Sequence, residues 1–284
     1  MTHRILHLSD VHFGRTRPEL LEPLLKVVNG AGADVVALSG DLTQRARNEQ
    51  FEEARAFLDR IEPPVVVVPG NHDIPLDRPF LRIFSPFGRY KRWIDQDLEP
   101  IWADDRLAMI GLNTVTRWSW QRGRMSPRKV KRICDLFKAG PADRINVIVA
   151  HHPFTHEEGS TKARMHGAAE AIEQLSDCGA HVVLSGHLHS WRLEPFLTQT
   201  QRTHILQVHA GTGLSTRLRD QDNDFAILDL EGRQLTVERW AASADAASFA
   251  PVQVNRFEMT DTGWSELGDP AAPAGSAPSL EAGY

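Results

Sequence analysis

Ile5-Leu6-His7-Leu8-Ser9-Asp10-Val11-His12 is a short apolar run that ends abruptly in a carboxylate and an imidazole. The pattern returns downstream. Val35 to Leu38 leads into Gly40-Asp41, and Val65 to Val68 leads into Gly70-Asn71-His72-Asp73. Ile145 to Ala150 delivers His151-His152-Pro153, and Val182 to Leu184 delivers Gly186-His187-Leu188-His189. Between these runs, apolar residues recur at helical spacing, as in Leu21, Leu24, Leu25 and Val28, then Phe51, Ala54, Leu58 and Ile61. Continuous apolar runs suit strands covered on both faces by crossover helices, so the expected class is α/β. Asp10 to Asp41 is 31 residues and Asp41 to Asn71 is 30, each the length of one strand-helix-strand unit. Side chains that follow such strands should converge at the carboxyl edge of the sheet.

Further along, Pro75 to Asp105 is rich in proline and aromatics, and reads as an inserted lobe or long loop. Ser126-Pro127 predicts the start of a helix burying Val130, Ile133, Cys134 and Phe137. From His204 to Trp240 the pattern changes to strands joined by turns, with Glu231-Gly232 a hairpin turn. Residues 1–260 thus read as a single domain. Residues 261–284, rich in Ala, Pro, Gly and Ser, read as a disordered tail. The 284 residues carry a net charge of −5, which points to neither a nucleic-acid binder nor a membrane-surface protein. No apolar run is long enough to span a bilayer. The apolar stretch near the N-terminus is too short for a secretory signal. Cys134 and Cys178 are too few for a disulfide framework and read as buried thiols. The expected compartment is the reducing cytoplasm.

Taken singly, each strand-end motif is weak, because a Gly-Asp turn is ordinarily a turn aspartate and a lone histidine ordinarily a structural one. Five in order at matching strand ends leave coincidence a poor explanation. If the backbone stays extended, the intervening residue in Asp10-Val11-His12 and in His187-Leu188-His189 puts each polar pair on one side.

These residues, in this order, resemble the calcineurin-like metallophosphoesterase superfamily, whose pattern is DxH, GDx, GNH[D/E], a histidine, then GHxH. The style is similar to bacterial phosphodiesterases of cyclic nucleotides and glycerophosphodiesters. The resemblance implies two central mixed β-sheets sandwiched between helices and a binuclear metal centre. It implies a first metal on Asp10, His12 and His189, and a second on Asn71, His151 and His187, with Asp41 bridging. His151 is favoured over His152 because the family's ligand stands two residues before the proline. His72 would face the scissile phosphate or its leaving group, and Arg45 corresponds to a phosphate-binding arginine of some relatives.

Carboxylate, imidazole and amide donors without thiolate suit Mn²⁺, Fe²⁺/Fe³⁺ or Zn²⁺. Two such ions leave the site electropositive and would activate a bridging hydroxide for in-line attack. Asp73 has two readings, orienting His72 or a ligand, or capping the following loop. Arg117 to Arg132 holds seven cationic residues and no acidic one. That stretch reads as a nucleic-acid groove with Trp118 and Trp120 as stacking groups, or as the solvated face of a helix, which is favoured. The tryptophans could also wall the site. His152, His156, His166 and His209 read either as supporting groups or as polar surface. The leading expectation is a phosphodiesterase for small diesters such as 3′,5′-cyclic nucleotides. The alternatives are a nuclease or nucleotide-lipid pyrophosphohydrolase, and, in another class, a non-catalytic interaction scaffold.

Overall fold

The runs that read as unbroken apolar strands, 5–8, 35–38, 107–112, 146–150 and 182–185, are buried on both faces. The computed structural model describes residues 2–155, 164–197, 202–218, 221–243, 245 and 248–268. One sheet begins with β1 (His3–Leu8), β2 (Val35–Leu38) and β3 (Val65–Val67), which run parallel. Helix α1 (Leu21–Gly30) and helix α2 (Asn48–Leu58) make the crossovers. The second sheet is built on β5 (Leu107–Leu112), β6 (Ile145–Ala150), β7 (Val182–Ser185) and β9 (Arg202–His209), all parallel. Its edges are β4 (Ile101–Ala103) and β8 (Arg192–Leu197), both antiparallel to their neighbours. Helix α5 (Pro127–Lys138) and helix α6 (Ala168–Asp177) cover its outer face. An antiparallel meander, β10 (Asp224–Glu231), β11 (Gln234–Ala242), β12 (Phe249–Thr260) and β13 (Gly263–Leu267), then completes the first sheet beside β1. Both sheets are therefore mixed, as expected.

Period-two alternation sorts each strand between two cores. Ile5, Val35 and Ala37 face the other sheet, where they meet Met109, Val147, Val149, Leu184 and Val208. Leu6, Leu8, Val36 and Leu38 face outward onto Leu24, Val28, Phe51 and Phe57 of α1 and α2. On the far side, Ile110, Ile148 and Val183 meet Val130, Ile133 and Phe137 of α5 and Leu175 of α6. The result is a helix-sheet-sheet-helix sandwich. Truncating one such fully buried Leu or Phe to Ala costs about 2–5 kcal/mol. Helix α5 begins as its sequence predicts, with Ser126 Oγ accepting from Lys129 N–H and Pro127 in the first turn, a cap worth about 1 kcal/mol.

Two expectations need correction. Cys134 and Cys178 are joined in a disulfide, 44 residues apart, tying α5 to the C-terminal end of α6. Both sit half-buried at helix surfaces that face each other, so they are not core thiols, and the cysteine content gives no support to a reducing compartment. The segment 75–105 carries regular elements. It holds helix α3 (Pro79–Phe84), helix α4 (Gly88–Trp93) and edge strand β4. Finally, ordered structure runs past residue 261, because Gly263, at φ 106°, allows the tight turn that pairs β13 with β12. Residues 269–284 of the expected tail lie outside the described residues, as does His156. No helix among the described residues is long and apolar enough to cross a membrane.

Candidate metal centre

Asp10, His12, Asp41, Asn71, His151, His187 and His189 come from five strand ends and meet in one buried cluster, none more than 4% exposed. His12 Nε2 lies 3.2 Å from His189 Nε2. Asp10 Oδ1 lies 3.1 Å from His189 Nε2 and 3.5 Å from His12 Nε2. A second group forms beside the first. His151 Nε2 stands 3.0 Å from Asn71 Oδ1 and 3.2 Å from His187 Nδ1. Asp41 lies between the groups: its Oδ2 is 3.7 Å from His12 Nε2 and its Oδ1 is 3.5 Å from His151 Nε2.

The backbone achieves this in an unexpected way. The ends of the strands are not extended. Asp10, His12, Asp41, His187 and His189 all have left-handed backbone, with φ between 51° and 77°. Ala46 is the one other non-glycine residue with positive φ among the described residues. Each pair therefore converges because both members are turned, while Val11 and Leu188 between them are buried. Such conformations cost of order 1–3 kcal/mol each and persist only where surrounding contacts hold them. Those contacts are visible. Asp10 N–H donates to Gly40 C=O at 3.1 Å, His12 N–H to Asp41 C=O at 3.0 Å, and His187 N–H to Asp10 Oδ2 at 2.8 Å. Gly40 permits the close approach, since a Cβ there would stand 2.8 Å from both Gly70 N and His151 Nδ1.

Hydrogen bonds beneath the cluster fix the rings. His151 Nδ1 is 2.9 Å from Ser39 C=O and His189 Nδ1 is 3.1 Å from Arg217 C=O. Each Nδ1–H therefore donates to a carbonyl, and Nε2 presents its lone pair to the cluster. Below Asp10 runs a buried chain. Ser9 Oγ donates to Asp10 Oδ2 at 2.6 Å, Ser39 Oγ is 2.8 Å from Ser9 Oγ, and His7 Nε2 is 2.9 Å from Ser39 Oγ.

Burial pushes the Asp10 and Asp41 carboxyls up, but neighbouring imidazoles outweigh it. His189 and His12 hold Asp10 well below the usual range, and His151, His72 and His12 hold Asp41 at about 2. Burial lowers His12 below its ordinary value. The cluster thus combines ionised carboxylates with a neutral imidazole at His12, the protonation a metal requires. Asp10 Oδ1, fully buried, accepts no well-directed hydrogen bond within the protein. Two anions among converging nitrogen lone pairs lack positive charge, and a pair of divalent cations would supply it. The donor set fits such ions.

The other expected residues divide. His72 is half-buried beside the cluster. Its N–H donates to Asp41 Oδ1 at 2.8 Å, and its Nδ1 lies 2.8 Å from Gln44 C=O. Its ring stands edge-on to His12 at 5.1 Å, and burial lowers its pKa to about 4. Arg45 Nη1 lies 3.4 Å from the same ring. Asp73 does not cap the loop that follows it; its contacts brace the turn after Asp41 and the residue before Asn71. Its carboxylate accepts from Gly70, Leu42 and Thr43 N–H at 2.8–3.1 Å and from the Thr43 hydroxyl at 3.0 Å. His152 packs against His151 and His187 while its Nδ1 bonds Thr114 Oγ1 at 2.8 Å. His209 is buried and supports the histidine turn, its Nε2 3.3 Å from Leu188 N. His166 is exposed. Trp118 and Trp120 are 74% and 62% exposed, outside the cluster.

Sequence reading assigned no role to Arg217. Its Nη1 lies 3.1 Å from His72 Nε2. Strand direction could have found it: β9 runs parallel to β7, so the segment leaving β9 emerges at the same edge as His187 and His189. The helix-face reading of the basic stretch fits α5, where Lys129 and Arg132 pair with Glu99 and Lys131 with Asp135.

A sandwich of two mixed sheets with a buried carboxylate and imidazole cluster at its strand ends defines a metallophosphoesterase fold. Residues 3–191 match the family model described as calcineurin-like phosphoesterase, and the chain belongs to that family. It is 33% identical over 82 residues to glycerophosphodiester phosphodiesterase GpdQ of Enterobacter lignolyticus, covering 24% of this chain and 29% of that protein. It is 33% identical over 87 residues to one subunit of the nuclease SbcCD of Bacillus subtilis, covering 25% and 22%. A probable cyclic nucleotide phosphodiesterase of Rhodococcus erythropolis is 24% identical over 208 residues, covering 66% and 65%. The chain thus spans less than a third of the first two relatives and about two thirds of the third. Among solved structures, purple acid phosphatase PPD1 of yellow lupin shares the fold, with TM-score 0.69 at 14% identity over 90% of this chain and 53% of that one.

Proposed function

We propose that this chain is a metal-dependent phosphodiesterase acting on small phosphodiesters, with 3′,5′-cyclic nucleotides the first class to test. The observation that carries the reading is the division of Asp41, one oxygen toward His12 and the other toward His151. In this reading Asp10, His12 and His189 hold one ion, Asn71, His151 and His187 hold the other, and Asp41 is shared. When bound, the two ions supply positive charge to the phosphoryl oxygens and lower the pKa of a water.

The chain's own residues would do the rest. Arg217 and Arg45 flank His72 and present guanidinium donors to a phosphate oxygen. The neutral His72 ring keeps Nδ1–H on Gln44 C=O, so Nε2 is the atom that exchanges a proton. An incoming phosphate anion favours protonation there. The Nε2 proton then passes to the departing ester oxygen, which leaves as an alcohol. The partial match to a probable cyclic nucleotide phosphodiesterase supports the choice of diester.

Elemental analysis for bound metal, together with hydrolysis of bis-p-nitrophenyl phosphate, tests the assignment. Asp41→Ala should lose metal and turnover. His72→Ala should keep metal and lose roughly 10²–10⁴-fold in rate. A native chain that binds two ions yet hydrolyses none of a panel of cyclic nucleotides, glycerophosphodiesters, single-stranded DNA and nucleotide-linked lipids would reject the enzyme.

A further inference from the structure

Eleven large apolar side chains are exposed among the described residues, and six of them belong to two short neighbouring segments. Phe80, Leu81, Ile83 and Phe84 lie on α3, and Trp118 and Trp120 lie on the loop that follows β5. Phe80 and Phe84 are 78% and 79% exposed. The two segments form one lobe, joined by arginines bonded to backbone carbonyls. Arg82, buried, donates from Nε to Arg117 C=O at 2.9 Å and also reaches Ser119 C=O, while Arg117 returns a bond to Ile83 C=O. The Arg82 guanidinium also lies 5.4 Å from the Trp120 ring. A lobe braced in this way keeps its apolar tips in water rather than folding them inward.

The lobe stands beside the buried cluster. Pro75 follows the Asn71–Asp73 turn by two residues, and Arg82 bonds its carbonyl at 3.3 Å. The tryptophan loop leaves β5 through Thr114 and returns with Arg124 N–H on Thr114 C=O at 2.8 Å. Thr114 and Gly123 both touch the His152 ring.

Charge names the occupant. Residues 75–84 and 116–128 contain six arginines and one acidic residue, Asp77, in a chain whose net charge is −5. Arg78, Arg117, Arg122, Arg124 and Arg128 are exposed. Exposed phenylalanine and tryptophan beside arginine is the composition of a surface that enters the headgroup layer of an anionic bilayer. A two-fold contact between copies of this chain would set the same arginines face to face, which like-charge repulsion opposes. Nucleic acid would use the arginines and the aromatic rings but leaves Leu81 and Ile83 without a stacking role.

We propose that this lobe seats the chain on an anionic lipid surface, with the candidate metal centre held close to the headgroups. The identity of the phosphoester hydrolysed there rests on the phosphodiesterase reading above. The seating does not.

The full-length chain should be sedimented with vesicles of phosphatidylcholine alone and of phosphatidylcholine mixed with phosphatidylglycerol. The anionic vesicles should retain it on the order of tenfold more strongly, and added salt should reduce the difference. Phe80→Ser/Phe84→Ser and Arg78→Glu/Arg128→Glu should each lose that retention. Both variants should keep native turnover of bis-p-nitrophenyl phosphate in solution, which shows that they fold. Equal retention by the two vesicle types, or retention unchanged in both variants, overturns the proposal. So does binding to single-stranded DNA with none to lipid, or a dimer that the phenylalanine variant dissolves. Vesicle binding without turnover would instead reject the phosphodiesterase and leave the seating standing.

Discussion

Replacing His7 by Gln should change how stability depends on pH, by an amount the structure sets. His7 is fully buried on β1, with Nε2 on Ser39 Oγ at 2.9 Å and Nδ1 without a hydrogen-bond partner. Burial lowers its pKa from 6.5 to about 3, against a smaller opposing pull from Asp10. The folded chain therefore stays unprotonated at His7 down to about pH 3, while the unfolded chain takes up a proton below 6.5. Stability present above pH 6.5 is lost as pH falls, at about 1.4 kcal/mol per unit once well below 6.5, until the folded ring titrates. Between pH 7.5 and 5 the loss attributable to this one residue is about 2 kcal/mol. Glutamine does not titrate and can keep a donor on Ser39. His7→Gln, though less stable at pH 7.5, should then gain about 2 kcal/mol on the native chain by pH 5. Urea unfolding of both chains in chelator across that range reads the difference, since metal loading is removed from each. Parallel losses in the two chains would mean that His7 is not a buried neutral ring, and the chain from His7 to Asp10 would lose its anchor.

Other consequences follow from single contacts. Gly186→Ala puts a Cβ into Ser9 Oγ and Asp10 Oδ2, so it should cost about 1–3 kcal/mol and lower metal content measured by elemental analysis. Arg217→Ala removes a donor from His72 Nε2 and should raise KM for a diester by roughly tenfold or more, with metal content unchanged. Lysine there should restore part of the affinity, because charge returns without the guanidinium fork. Cys134→Ser opens the loop of 44 residues closed by the disulfide and should lower unfolding free energy by about 2–4 kcal/mol. Hydrolysis by the folded variant should stay at the native rate, since neither cysteine belongs to the cluster.

The sandwich was legible because β1, β2, β5, β6 and β7 are apolar on both faces and stop at polar residues, which only strands between helices and a second sheet need do. The cluster was legible for the same reason. Asp10, Asp41, Asn71, His151 and His187 each stand just beyond such a run, and parallel strands bring their ends to one edge. Side-chain direction was not legible. Alternation assumes an extended chain, whereas Asp10 and His12 turn left-handed under hydrogen bonds to Gly40 and Asp41, thirty residues away. The partnership of Cys134 with Cys178 depends on how α5 lies beside α6, which no spacing encodes. Arg217 sits beyond the end of β9, and the direction of that strand is what places it beside the cluster.

Five cluster residues occupy backbone conformations that glycine or asparagine would adopt with less strain. The requirements of folding and of ion capture therefore pull these positions apart. Laboratory evolution for heat resistance alone, with hydrolysis left unselected, should drift toward glycine at Asp10, His12, Asp41, His187 and His189. The hardiest descendants would keep the sandwich and lose its chemistry.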